Sequence, residues 1–352
     1  MGQFMMTRSL PSTVATLDPA CFSIVMATGI VSLACWYHGT AGSWWHCIAI
    51  LLLWANVLTF SLLTGLTIVR ISTYFRRVIN DLQDPRRSFG AFSMVAASCV
   101  LGSQLLSIAQ MPMAAIALWC CGIVGWFLLT YGIFYSLTLQ KSKPNLRDGV
   151  HGGWLLAVVA AQAVSLLGSL LSAQFSSSRD LVLFFSLTMW LAAGMLYVWI
   201  IVFVFYRYCF EPVDVDSMTP PYWINMGAMA ISTLAGCSLM EASASSDAML
   251  QFVPFLKGGA LLCWATATWW IPLLIAFGIW RHAGNRVPFK YDLSYWSMVF
   301  PLGMYCVATH AASQCFELRF LEPVSSVFMY VALAAWTMTG VGMATDQPAV
   351  NE

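Results

Sequence analysis

The side chains that could do chemistry inside the apolar blocks of this chain are few, and almost all are uncharged. His310 lies deep in one block, and because an imidazole is the side chain that can change its charge near neutral pH, it could carry a proton for a passing solute. Lys257, near the end of another block, could attract an anion or extend its ammonium group to a lipid headgroup. The odd-numbered blocks have no acidic or basic residue near their centres, only polar neutral residues such as Ser93, Gln104, Gln162, Ser165 and Asn225. Such residues can hydrogen-bond a solute, but they do not form a set that would break its covalent bonds.

No group of residues in the sequence points to an enzyme, a metal site or a cofactor. The 11 cysteines include no C-x-x-C pair, so we interpret them as small buried apolar residues. Phosphate-loop, nucleophile-elbow and metalloprotease motifs do not occur. A membrane-bound redox or haem enzyme is the alternative from a different class. It needs two histidines at facing depth, whereas His38 and His46 flank one loop.

The composition explains why charged chemistry is scarce. Of the 352 residues 60% are hydrophobic and only 9% are charged, whereas a soluble domain carries about 25% charged residues. This excludes an ordinary soluble protein and a disordered chain, and the net charge of +1 gives no basic excess for a nucleic-acid partner. The apolar residues form long uninterrupted blocks, which disfavours a membrane β-barrel. We therefore predict an all-α integral membrane protein in contact with the lipid bilayer.

Ten apolar blocks are long enough to cross a bilayer, which needs roughly 20 helical residues. They lie at about 20–37, 44–69, 89–110, 112–139, 150–173, 180–209, 220–242, 251–280, 292–314 and 320–344. We expect residues 1–19 to be a cytoplasmic N-terminal segment, residues 20–344 a single ten-helix transmembrane domain, and residues 345–352 a cytoplasmic tail.

The basic residues predict the orientation, because lysine and arginine are retained on the cytoplasmic side of a membrane. On one side lie only Arg179, Lys257 and Arg319. On the other lie Arg8, Arg70, Arg76, Arg77, Arg86, Arg87, Lys141, Lys143, Arg147, Arg207, Arg281, Arg286 and Lys290. Both termini are therefore predicted to be cytoplasmic, and we expect the membrane to be a bacterial cytoplasmic (inner) membrane.

The odd-numbered blocks recur every 60 to 70 residues or so, which indicates an internal repeat. Each has an aromatic residue near its start: Phe22, Phe92, Trp154, Trp223 and Trp296. Four residues later stand Met26, Ala96, Val158, Gly227 and Phe300. Three residues further along stand Gly29, Cys99, Ala161, Ala230 and Gly303. Because offsets of three and four share one helical face, each odd helix could turn a narrow stripe toward a common axis. Packing between helices would need the same small residues.

Four segments resemble the tellurite-resistance/dicarboxylate transporter family, which includes slow anion channels of plant guard cells, a bacterial tellurite-resistance protein and yeast malate transporters. They are residues 22–32 (FSIVMATGIVS), 223–228 (WINMGA), 264–272 (WATATWWIP) and 295–305 (YWSMVFPLGMY). The resemblance implies ten transmembrane helices as five helical hairpins with quasi-five-fold symmetry around a central pore, assembled as a homotrimer. It also implies a pore closed by a phenylalanine of the ninth helix, here Phe300, although core packing is the other interpretation of that residue.

The predicted function is an anion channel or transporter that moves small inorganic anions or organic acid anions. Chloride, nitrate, sulfite, tellurite and C4-dicarboxylates such as malate are the candidates, and a proton-coupled dicarboxylate carrier that uses His310 is the alternative. A path without acids does not attract cations, and without fixed lysine or arginine it does not trap anions. The predicted pore-lining or hinge residues are Met26, Gly29, Cys99, Val158, Ala161, Asn225, Gly227, Pro301, Gly303 and Val307, with His310 and Lys257 as possible proton or anion sites.

Overall fold

A computed structural model describes residues 14–345, apart from 41, 144 and 245. Those residues form helices and turns, without a β-strand among them. The ten long helices are α1 (Ser23–His38), α2 (Trp44–Thr73), α3 (Phe92–Ser107), α4 (Pro112–Leu139), α5 (Leu156–Leu171), α6 (Arg179–Phe210), α7 (Ile224–Ser243), α8 (Val253–Ile279), α9 (Trp296–Cys315) and α10 (Glu322–Thr345). Most of the predicted N-terminal segment and C-terminal tail lies outside the described residues.

Nine helices of the described chain are long and apolar enough to cross a membrane. They correspond to nine of the ten predicted blocks, and the protein is an integral membrane protein. The exception is α9, whose 20 residues include Pro301, His310 and Gln314. These residues make α9 less apolar than the other helices, so its membrane crossing stays a prediction.

The odd and even helices differ in burial. In the most apolar window of the odd helices that meet the criterion, 78% to 94% of the residues are buried, against 17% to 39% in the even helices. Large apolar side chains such as Leu58 on α2 and Leu128 on α4 are at least 70% exposed. The even helices therefore form the outer, lipid-facing layer and the odd helices form the interior, as the sequence predicts.

Each odd helix packs against the even helix that follows it, and the five odd helices contact one another in the cyclic order α1, α3, α5, α7, α9 and back to α1. A single 3-10 turn precedes each odd helix, at Pro19–Phe22, Ser88–Ala91, Gly152–Leu155, Pro220–Trp223 and Leu293–Tyr295. The α-helical parts of the odd blocks consequently begin three to six residues later than predicted.

One hydrogen bond recurs around the molecule, because every even helix donates a side-chain N–H to the next odd helix. The five donor–acceptor pairs are Asn56 to Gln104, Trp119 to the Val164 carbonyl, Trp190 to the Ser232 carbonyl, Trp264 to the Thr309 hydroxyl and Trp336 to the Thr28 hydroxyl, at 2.7 to 3.1 Å. The last pair joins α10 to α1 and so closes the circle. In a membrane such bonds remove polar groups from lipid, and they fix each outer helix in the groove between two inner helices.

Candidate functional site

The odd helices enclose a cavity of about 610 Å³ at their C-terminal ends. All five contribute to its wall, and one residue from each lies at the same level of the repeat: Leu33, Ser103, Leu166, Leu234 and Val307. We call this space the C-terminal cavity. Ser238, His310 and Gln314 add polar groups to it, and Glu241 adds a carboxylate. Among the described residues that line it there is no lysine or arginine.

A second set of five residues stands seven positions before these cavity residues in the sequence. At 1.5 Å per residue it lies about 10 Å deeper in the molecule. It consists of Met26, Ala96, Val159, Gly227 and Phe300, all of which are buried. We call this set the deep ring. Seven residues are nearly two helical turns, so each member faces the same side of its helix as the cavity residue above it. Phe300 is the only aromatic residue in the deep ring.

The neighbours of α9 show which way Phe300 points. Next to it in the sequence, Pro301 packs on α7, since a Cβ on Gly227 would lie 2.7 Å from Pro301 Cγ. Three residues after Phe300, Gly303 packs on α1, since its Cβ would lie 2.8 Å from Ile30 Cγ2. Tyr305 faces outward and shares a 2.8 Å hydrogen bond with a hydroxyl of α8. At about 100° per residue, Phe300 therefore points between α7 and α1, into the ring.

On α5 the structure corrects the register of the predicted stripe by one residue. Leu166 lines the C-terminal cavity, while Ser165 donates to the Ser186 carbonyl of the outer helix α6 at 2.7 Å. Val159 therefore faces inward rather than Val158. The aromatic marker caused the error, since Trp154 precedes the first residue of α5 by two positions, whereas Trp296 begins α9 itself.

Several predicted pore-lining or hinge residues contact neighbouring helices instead of the central space. Gly227 and Gly303 do so through the contacts with Pro301 and Ile30 given above. A Cβ on Gly29 would lie 2.5 Å from Val100 of α3. Cys99 Sγ lies against Gly122 of α4, where an added Cβ would be only 2.7 Å away. Asn225 donates to the Tyr208 hydroxyl of α6 at 3.0 Å. Gly29, Cys99 and Asn225 therefore serve contacts between helices. Ala161 is fully buried within α5.

His310 and Val307 line the C-terminal cavity, as the predicted stripe on α9 requires. The His310 ring lies 5.3 Å from the ring of His38, centroid to centroid. His38 is engaged through both nitrogens, with the Ala34 carbonyl and the Ser325 hydroxyl each at 3.0 Å. Lys257 is exposed and lies outside the cavity wall.

Sequence reasoning missed the residues that form most of the cavity wall, including Leu33, Ser103, Leu166, Leu234 and Glu241. A signal for the first four was present, because they stand about seven residues after the members of the predicted stripe. Glu241 was missed because it lies near the end of α7, beyond the apolar centre that the search for ionisable residues covered.

The chain is similar to one protein family and to several known proteins. The family described as voltage-dependent anion channel (SLAC1) matches residues 16–344. An uncharacterized membrane protein of Mycobacterium tuberculosis is 40% identical over 139 residues, which cover 39% of this chain and 69% of that protein. An uncharacterized transporter of Methanocaldococcus jannaschii is 23% identical over 331 residues, 94% of each chain. A protein named sulfite efflux pump in Arthroderma benhamiae is 21% identical over 347 residues, 92% of this chain and 89% of that protein.

Proposed function

This chain belongs to the SLAC1 family of voltage-dependent anion channels, which confirms the resemblance drawn from its sequence, and we propose that it conducts small anions between its five odd helices. The observation that carries this proposal is the C-terminal cavity, which all five odd helices line without a described lysine or arginine. In this proposal ten helices cross the membrane as five hairpins with quasi-five-fold symmetry, and three subunits assemble with one path each. The termini face the cytoplasm and the membrane is a bacterial inner membrane.

The deep ring supports a closed state of this path. Phe300 is 1% exposed, and in this proposal its side chain fills the centre of the ring, where the other four members are smaller or more flexible. A hydrated anion loses water at such an apolar constriction, and hydrophobic constrictions gate by excluding water. We therefore assign the gate to Phe300, with the C-terminal cavity as the wide vestibule on the outer side of the membrane.

Glu241 is an exposed carboxylate in the wall of the vestibule, so it affects which ions enter. A carboxylate at the mouth lowers the local anion concentration, while the serine hydroxyls and the Gln314 amide can replace part of an anion's hydration. Selection among anions then depends on size and on dehydration at the deep ring. Small inorganic anions such as chloride, nitrate and sulfite fit this selection by size. Tellurite and C4-dicarboxylates test the upper limit of anion size.

A liposome flux panel tests the proposed function directly. We expect purified protein in liposomes to pass chloride, nitrate or sulfite at least tenfold faster than empty liposomes, without a pH gradient. Malate and tellurite in the same panel measure the size limit. Flux that appears only when a proton gradient is imposed would contradict a channel. Absence of flux for every anion, in the unchanged protein and in Phe300→Ala alike, would contradict the proposal as a whole.

The alternative of a proton-coupled dicarboxylate carrier rests on His310, which lines the vestibule beside His38. For a channel we expect His310→Gln to keep anion flux and its pH dependence within about twofold of the unchanged protein, because glutamine preserves the polar wall. His46→Gln is the matched control, since His46 binds the Trp36 carbonyl outside the vestibule. If His310→Gln abolishes the response to a proton gradient and His46→Gln does not, the protein is a proton-coupled carrier rather than a channel.

A further inference from the structure

A pocket of about 270 Å³ lies at the end of the molecule opposite the C-terminal cavity, beside the last turn of α2. Three arginines and one aspartate are the charged residues of its described wall: Arg70, Arg77, Arg87 and Asp81. We call it the arginine pocket. Its wall carries a formal excess of two positive charges, which is unusual in a chain whose net charge is only +1.

Each of the three arginines has a contact that orients it, although only Arg70 is buried. Arg70 is only 6% exposed, and its guanidinium lies 2.5 Å from Asp81. Arg87 Nε lies 3.2 Å from the other oxygen of Asp81, so its terminal nitrogens can donate elsewhere. The Arg77 guanidinium lies 5.4 Å from the centre of the Tyr74 ring. Fixed guanidinium groups bind phosphate well, because their planar donors match two phosphate oxygens without further loss of entropy.

An apolar cleft of about 150 Å³ adjoins the arginine pocket and shares Arg70 and Asp81 with it. Its walls come from Thr67 and Ile71 of α2, from Leu129 of α4 and from residues 17–22 before α1, where Asp18 adds a second carboxylate. Since α2 and α4 belong to the outer layer, the cleft lies beside surfaces that face lipid. A basic pocket joined to an apolar cleft at this depth is complementary to a lipid whose headgroup carries a phosphate.

A short amphipathic helix, Phe75–Gln83, covers the cleft. Val78 and Leu82 line the cleft from above, while Arg76 and Arg77 are exposed and Phe75 is 59% exposed. This helix turns its apolar face to the protein and exposes arginines next to a phenylalanine. Such a pattern is typical of a helix that lies in the headgroup layer. Its position therefore places the arginine pocket at the level of lipid phosphates.

From these contacts we infer that the arginine pocket and the apolar cleft together bind one anionic phospholipid of the cytoplasmic leaflet. The headgroup phosphate pairs with Arg77 and Arg87, and the start of an acyl chain fills the cleft. Phe22, in the 3-10 turn before α1, forms part of the cleft wall. The bound lipid thus joins the first hairpin to the second at the entrance of the proposed path, and it makes no contact with the C-terminal cavity.

Native mass spectrometry of the full-length protein, with phosphatidylglycerol or phosphatidylcholine supplied in equal amounts, tests the site. We expect phosphatidylglycerol to be retained at least tenfold more than phosphatidylcholine, and Arg77→Gln to reduce this preference at least fivefold. Arg76→Gln removes the same charge from the same helix outside the pocket, so it should change the preference less than twofold. Thr67→Trp, which fills the cleft without changing charge, should also reduce retention, whereas Leu62→Trp on the lipid-facing side of α2 should not.

Three outcomes would overturn the inference. Equal losses in Arg76→Gln and Arg77→Gln would mean that general surface charge attracts the lipid. Equal retention of the two lipids by the unchanged protein would mean that there is no selective site. Inorganic phosphate that displaces the lipid at millimolar concentration, with Thr67→Trp unaffected, would make the pocket a site for free phosphate. Anion flux is not the readout, so failure of the lipid site and failure of the proposed channel can be told apart.

Discussion

Replacing Phe300 with alanine is expected to raise anion flux through the protein at least tenfold in liposomes. The substitution removes the only aromatic side chain of the deep ring and leaves Met26, Ala96, Val159 and Gly227 around an open centre. A tenfold change corresponds to a barrier lower by about 1.4 kcal/mol, which is modest for removing a plug from an apolar constriction. The flux should rise for chloride and nitrate alike, because the plug blocks by size and by dehydration rather than by charge.

Phe328→Ala is the matched control for this experiment. Phe328 lies on the outer helix α10 and packs against Tyr305 with ring centroids 4.5 Å apart, on the opposite side of α9 from the deep ring. Phe328 is half-buried, so its loss removes the same side-chain atoms at a smaller cost in stability, and it should leave the flux within about twofold. An unchanged flux in Phe300→Ala, or a flux lost while the protein stays folded, would show that Phe300 is a packing residue.

Gly152→Ala is expected to lower the free energy of unfolding by about 3 kcal/mol, at the upper end of the usual cost of overpacking. Gly152 lies in the 3-10 turn before α5, where it meets the turn before α7. A Cβ there would lie 2.5 Å from the Pro221 carbonyl oxygen and 2.7 Å from Tyr222 Cα. Since both contacts are backbone atoms, no rotamer change relieves them, and two inner helices must move apart.

The unfolding midpoint in detergent, followed by tryptophan fluorescence, measures this effect. Gly278→Ala is the control, because an added Cβ at that position of α8 meets no atom within 4 Å. Alanine in a helix is favoured over glycine by up to about 1 kcal/mol, so this variant should unfold at the same point or slightly later. Equal midpoints for Gly152→Ala and the unchanged protein would mean that the two turns separate without cost.

The deep ring shows how much of the candidate site could be predicted from the sequence. The spacing from the aromatic markers predicted Met26, Ala96, Val158, Gly227 and Phe300 as one set, and four of these five stand seven residues before a residue that lines the C-terminal cavity. The same spacing failed on α5, where it selected Val158 instead of Val159. An aromatic residue near a helix start marks the membrane boundary, but it does not fix the first helical residue to within one position, and one residue turns the side chain by about 100°.

The sequence also did not reveal the five hydrogen bonds that join each even helix to the next odd helix. Trp119, Trp190, Trp264 and Trp336 occur in even blocks among many aromatic residues that face lipid. Only the structure shows that each of these four donates to the next inner helix. Asn56 performs the same task on α2 with a different side chain, so no common motif marks the five positions.

The sequence by itself determined that the protein lies in a membrane, that its odd helices are interior, and which of its segments carry the basic residues. These are properties of single segments, since the cost of placing a charge or an apolar side chain in lipid or water acts on each segment independently. The tertiary structure alone decided which face of each odd helix meets the centre. Gly29, Cys99 and Asn225 have the small size and polarity expected of a pore wall, yet they contact neighbouring helices. Small residues suit a pore wall and a helix–helix contact equally well. Only the packing of all ten helices decides which of the two a given residue forms.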